Sequence, residues 1–231
     1  MLWGTDMRKK IGYAVILILI PLILILGGTV FKSKQYSFVT LSVTVLSIVP
    51  FFLHFENKDR GTIKIVLIAV LTALNVIGRF VFAAVPSFKP VTALTVIAAM
   101  ELGGESGFMI GSLTAVISNF YFMQGPWTPF QMFSWGILGF IAGIFSGILK
   151  KNKIILLLFG AIAGVLYSLI MDVYSVLWMD NAFNLPRFLT FVASSMPVTI
   201  IYVISNVIFL LLLADPIGKK LSRIKIKYGI N

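Results

Sequence analysis

Eight apolar stretches, separated by short polar or aromatic links, constrain this chain more than any other feature. They run Ile11–Phe31, Ser37–Phe55, Thr62–Ala84, Pro90–Met100, Gly107–Phe122, Phe130–Leu149, Ile154–Trp178 and Phe188–Leu213. Seven approach the roughly 20 residues a helix needs to cross about 30 Å of hydrocarbon. The fourth, at about eleven residues, is too short to cross unaided, unless it recruits Glu101–Ser106 or enters as a tilted or re-entrant piece. The chain is 59% apolar and only 12% charged, too few charges to cover a water-facing surface. A soluble domain is therefore excluded, and the expected class is an all-α polytopic membrane protein. The first span reads as a retained helix rather than a leader, because its apolar run is long and Lys32 and Lys34 follow it in place of a cleavage site.

The formal charge of +11 suggests nucleic acid until the charges are located. With both termini in the cytoplasm, fourteen of the nineteen basic residues fall on the inner side, including Lys150, Lys151, Lys153 and the tail from Lys219 to Lys227. The outer links keep Lys32, Lys34, Lys89 and Arg187, and Arg79 lies within a span. That asymmetry orients helices in a membrane and points to no nucleic-acid partner. It also favours an even number of crossings, and with it the short fourth span, since an odd number would put the N-terminal basic cluster Arg8–Lys10 and the basic tail on opposite sides.

No catalytic constellation is present. Cysteine is absent, no phosphate-binding GxxxxGK[ST] loop occurs, and the single histidine, His54, stands beside Glu56 with no metal-ligand or nucleophile spacing around it. No cofactor is expected, and any ATPase must be another chain. Small residues recur at four-residue spacing as Ala69–Ala73, Gly107–Gly111, Gly139–Gly143–Gly147 and Gly160–Gly164. Such stripes let helix backbones approach in lipid. The glycine pairs are read first as packing within the monomer, and Ala69–Ala73 as a surface for a partner.

The candidate binding residues gather toward the outer side. Tyr121 to Phe130 carries no charge; its Pro126, Pro129 and Gly125 stiffen and turn the chain. The segment is either an aromatic belt at the headgroups or the wall of a pocket, with Tyr121, Gln124, Trp127 and Gln131 facing the ligand in the second case. Tyr174 and Trp178 extend that wall. Asn75, Arg79 and Asp172 lie within spans at comparable depth, with Asn119 and Gln131 flanking the same outer region and Asn206 in the eighth span; a charge there is costly and faces a cavity, a partner or a ligand. Arg79 and Asp172 either pair with each other or contact a ligand, or Arg79 reaches to the interface.

Two segments carry a family resemblance: IAVLTALNVIGRFVFAAVPSFKPVTALTVIAAMELGGESGFMIGSLTAVISNF and FMQGPWTPFQMFSWGILGFIAG. From Ile63 to Leu213 the chain resembles the membrane-embedded substrate-binding (S) component of energy-coupling factor (ECF) vitamin transporters, with Ala69 and Ala73 in place of the family's Ala-xxx-Ala helix pattern. The resemblance implies a six-helix core over 61–215, two additional N-terminal helices over 1–60 and a basic cytoplasmic tail over 216–231. It further implies a vitamin bound at the outer side, a transmembrane coupling protein meeting Ala69 and Ala73, and two cytoplasmic ATPases. The GPWTPFQ and KPVTALT segments look most like cobalamin-type or unassigned S components, so cobalamin is the expected substrate and riboflavin the smaller alternative. A stand-alone secondary carrier and a non-transport scaffold are the rival classes.

Overall fold

The computed structural model describes residues 7, 10–29, 36–53 and 58–229. A π-helical turn, Val15–Leu19, leads into α1 (Ile20–Thr29), followed by α2 (Tyr36–Leu53), α3 (Lys58–Val81), α4 (Val91–Leu102), α5 (Gly104–Phe122), α6 (Thr128–Ile144), the short α7 (Ser146–Lys151), α8 (Lys153–Asp180) and α9 (Leu185–Tyr228). No strand occurs among the described residues. The protein is a multi-pass, largely helical membrane protein. His54 and Glu56 lie outside the described residues, as do Lys32 and Lys34.

The expected count of six core crossings plus two is corrected. Among the described residues four helices are long and apolar enough to cross a membrane: Lys10–Gly27, Thr62–Val81, Lys153–Asp180 and Leu185–Tyr228. Phe38–Ser47, Val91–Leu102 and Thr128–Ile144 are shorter apolar helices. The physical reason lies in the centre of the bundle. All twelve residues of α4 are buried, because α3, α5, α6 and α9 all pack against it. At 1.5 Å per residue this helix is only about 18 Å long, yet protein rather than lipid surrounds it, so membrane thickness does not set its length. Glu101 and Leu102 extend it past the expected end, and Gly103, at φ +94°, turns the chain directly into α5.

The α5–α6 hairpin is the tightest pairing. A Cβ placed on Gly107 would stand 2.8 Å from the Gly139 carbonyl oxygen, and one on Gly139 would stand 2.6 Å from that of Gly107. The two backbones therefore touch, as the four-residue spacing predicts. Gly164 meets the backbone of Val203 in the same way, 2.8 Å from its nitrogen, which brings α8 against α9.

Caps set the ends of this second hairpin. The Asn152 side chain accepts from the backbone N–H groups of Ile154 (2.9 Å) and Ile155 (3.2 Å) and starts α8. Asn181 ends it in the left-handed conformation, and the Asn184 side chain accepts from Arg187 N–H (3.2 Å) to start α9. α9 then runs 44 residues without a break, about 66 Å. The expected eighth span and the basic tail are thus one helix.

Candidate functional site

Arg79 sits in the last turn of α3, and α5 supplies its acceptors. One guanidinium nitrogen, Nη1, donates to Ser118 Oγ and, at 2.7 Å, to Asn119 Oδ1. The amide of Asn119 donates to Thr128 Oγ1 and to Gln131 Oε1, both at 2.9 Å. The Gln131 amide in turn donates to the Tyr167 hydroxyl at 2.9 Å. One polar chain thus joins α3, α5, α6 and α8 at a single depth. Rings complete the accommodation of the charge. The guanidinium carbon lies 4.6 Å from the centre of the Phe122 ring and 5.1 Å from that of Trp135, distances at which a cation is attracted by the π face.

Trp135 stacks on Tyr167 with centroids 5.4 Å apart and an interplanar angle of 16°, and Tyr202 of α9 meets Tyr167 edge-on at 4.8 Å. A cavity of about 80 Å³ opens beside these rings, bordered by Arg79, Gln131, Trp135, Tyr167, Tyr202 and Asn206. Its remaining border is Ser87 and Lys89 in the link between α3 and α4, together with Val91 and Thr92 at the start of α4. Of the five guanidinium donors, only those on Nη1 are engaged in hydrogen bonds among the described residues. The donors on Nη2 and Nε have no such partner there, and Arg79 borders the cavity.

The link is anchored at its end. Lys89 N–H donates to Ser205 Oγ and the Ser205 hydroxyl donates to the Lys89 carbonyl, both at 2.9 Å. The Lys89 ammonium folds back onto the carbonyls of Phe82 (2.6 Å) and Val85 (3.3 Å). Burial holds that ammonium below its ordinary pKa, and the charge of Arg79 adds to the effect.

Of the nine residues expected to contact a ligand, Arg79 and Gln131 border the cavity. Asn75 lies deeper, fully buried, its amide donating to Thr95 Oγ1 at 3.1 Å while its carbonyl oxygen has no partner. Gln124 braces the α5–α6 link by donating to the Val116 carbonyl at 2.7 Å. The Trp127 ring fills the space over Gly125 and precedes α6 as its cap residue. Tyr121 is 70% exposed and edge-on to Phe80. Tyr174 packs on Phe130 at 5.3 Å, with Trp178 beyond it at 6.3 Å.

Asp172 accepts from Ser195 Oγ at 2.8 Å, within a cluster that includes Ser168 and Thr199. It faces α9, whereas the acceptors of Arg79 stand on α5, so the two charges form no ion pair. Ala69 and Ala73 are exposed on α3, in a row with Val66, Val70 and Ile77.

Sequence reasoning passed over Trp135, Tyr167, Tyr202, Ser87 and Lys89. Two of these had a legible signal. Trp135 stands one helical turn after Gln131 and so shares its face. Tyr167 falls within a long apolar span, where a buried hydroxyl requires a partner.

A family model for the ECF-type riboflavin transporter S component matches residues 60–222, well over half of the chain. No curated protein and no solved structure gives a significant match. The match corrects the cobalamin-type expectation in favour of the riboflavin-transport subfamily. The segments that prompted that expectation carry their Pro, Gly, Trp and Thr residues for reasons of folding. Gly125 makes room for the Trp127 ring, Pro90 opens α4, and Thr92 and Thr95 are buried in a helix packed on every side. Such residues report how the links turn rather than what the pocket holds.

An S component is the membrane-embedded, non-catalytic vitamin-binding subunit of an ECF system, which also comprises a transmembrane coupling subunit and ATPase subunits. By the extent of the match, this chain belongs to the ECF-type riboflavin transporter S-component family.

Proposed function

We propose that the chain captures riboflavin at the Arg79 end of the bundle and delivers it to an ECF uptake system. The observation that carries this reading is the guanidinium with three unengaged donors beside the rings of Trp135, Tyr167 and Tyr202. Riboflavin presents a flat tricyclic ring with carbonyls along one edge and a chain of hydroxyls. The rings suit the flat body, Arg79 suits the carbonyl edge, and the amides of Gln131 and Asn206 suit the hydroxyls.

The cavity of about 80 Å³ is well below the roughly 300–1,000 Å³ of small-molecule pockets. Entry therefore requires the walls to part. Most of the border is helical and Lys89 is tied to Ser205, so the non-helical stretch of the α3–α4 link around Ser87, ahead of that anchor, is the part that moves. Core 61–215 acts as the vitamin-binding unit, 1–60 as added helices and 216–231 as a cytoplasmic extension. Both termini and the Lys150–Lys153 link face the cytoplasm, as the basic-residue asymmetry supports. Ala69 and Ala73 meet the coupling protein, which joins the subunit to two ATPases.

Titration of the purified protein with riboflavin, flavin mononucleotide, thiamine and cobalamin, by calorimetry and by flavin fluorescence, tests the substrate. Riboflavin is expected to bind with its emission quenched by the neighbouring rings. Binding of cobalamin or thiamine without riboflavin would overturn the reading.

A further inference from the structure

At the end of the bundle opposite Arg79, a second cavity of about 430 Å³ lies between the C-terminal end of α4, α7, the start of α8 and α9. This volume is within the range of small-molecule sites. Its floor is apolar: Met100, Leu149 and Leu156 border it and are nearly or fully buried. Its rim is charged. Lys150, Lys153, Lys219 and Arg223 face Glu101 and Asp215 there.

The two carboxylates are already satisfied. Glu101, 7% exposed, pairs with Lys150 at 2.9 Å and accepts from Ser222 Oγ at 3.0 Å. Asp215 pairs with Lys153 at 2.9 Å. Lys219 and Arg223, one turn apart on α9, have no carboxylate within ion-pair distance among the described residues. Among the described residues these two cations therefore stand outside any ion pair, Lys219 acting on Asp215 only at longer range, above an apolar floor at the edge of a bundle whose flanks are made for lipid.

We propose that this cavity binds an anionic phospholipid, its phosphate held by Lys219 and Arg223 and its glycerol and upper acyl chain lying on Met100, Leu149 and Leu156. A purely ionic ligand would leave the apolar floor uncovered. A zwitterionic lipid would bring its own cation against Lys219 and Arg223. The anionic amphiphile satisfies both halves, and basic pockets between membrane helices recognise such headgroups. This site shares no residue with the Arg79 cavity and stands or falls independently of which vitamin is bound.

Native mass spectrometry of the full chain, released from detergent after equilibration with phosphatidylglycerol, phosphatidylcholine or glycerol 3-phosphate, tests the proposal. The expected result is one retained phosphatidylglycerol in preference to phosphatidylcholine, with glycerol 3-phosphate failing to displace it at equal concentration. The double variant Lys219→Gln/Arg223→Gln should lose that retention by about tenfold or more. Lys220→Gln/Lys227→Gln, which removes the same charge from the same helix outside the cavity, should keep it. The unfolding temperature of both variants, unchanged from wild type, verifies the fold.

Equal loss in the two double variants would reduce the effect to diffuse attraction and overturn the site. Displacement by glycerol 3-phosphate would make it a site for a small phosphate ester. Retention that is indifferent to headgroup charge would overturn it as well, leaving the cavity to a partner protein.

Discussion

Arg79 is the residue on which the binding reading turns, and its surroundings explain how a membrane helix keeps a guanidinium. Two acceptors on α5 and two ring faces take up part of the group, and the proposed function assigns its remaining donors to the ligand. Removing a charged hydrogen-bond partner from a ligand costs roughly 2–5 kcal/mol, about thirtyfold to several thousandfold in affinity. Arg79→Ala is expected to weaken riboflavin binding within that range in a calorimetric titration. Arg79→Lys should recover only part of it, because an ammonium has neither the planar fork nor the face that lies on Phe122 and Trp135. Unchanged affinity in both variants would remove Arg79 from the site. Asp172→Asn, by contrast, should leave the affinity close to wild type, since its carboxylate accepts from Ser195 and faces α9.

At the scale of elements, the stripes of small residues divide by what they meet. Gly139 and Gly107 bring α6 and α5 into backbone contact, so a methyl group at Gly139 has no room. Gly139→Ala should destabilise the protein by about 1–3 kcal/mol, the usual cost of overpacking, read as a lower unfolding temperature in detergent. Gly147 has nothing within 4 Å of a Cβ. Gly147→Ala is expected to be neutral or to stabilise α7 slightly, by up to about 1 kcal/mol from helix propensity. Equal effects of the two substitutions would refute the close-contact account.

Ala69 and Ala73 form the third case, small and exposed on α3. Ala69→Leu/Ala73→Leu should leave riboflavin affinity intact while abolishing uptake and co-purification of the coupling subunit. Normal uptake by that variant would show that the face is not the docking surface.

For the whole molecule, the charges settle at two ends. Lys150, Lys153, Lys219 and Arg223 converge around one cavity, and Arg79, Lys89 and the aromatic rings around the other. A single cysteine can report the sidedness, because the chain has none of its own. Lys151→Cys should be protected from an impermeant thiol reagent in intact cells, and Phe183→Cys, between α8 and α9, should be labelled. The reverse pattern would invert the orientation.

What the sequence by itself determined is the solvent and the class. Apolar runs of membrane length and sparse charge leave no other medium for this chain, and four-residue glycine spacing already specifies close helix pairing. The motif order from Ile63 onward pointed to an S component, since it reflects the succession of helices and turns. Tertiary structure decided what depends on which faces meet. It joined Arg79 to Asn119, forty positions further along the chain, rather than to Asp172, ninety-three positions further, because α5 and not α8 lies along α3 at that depth. It assembled Trp135, Tyr167 and Tyr202 from three helices into one aromatic wall. The short apolar run already marked α4 as about eleven residues, but only the packing showed why a helix of twelve suffices, because a helix enclosed by protein is measured by its neighbours and not by the bilayer.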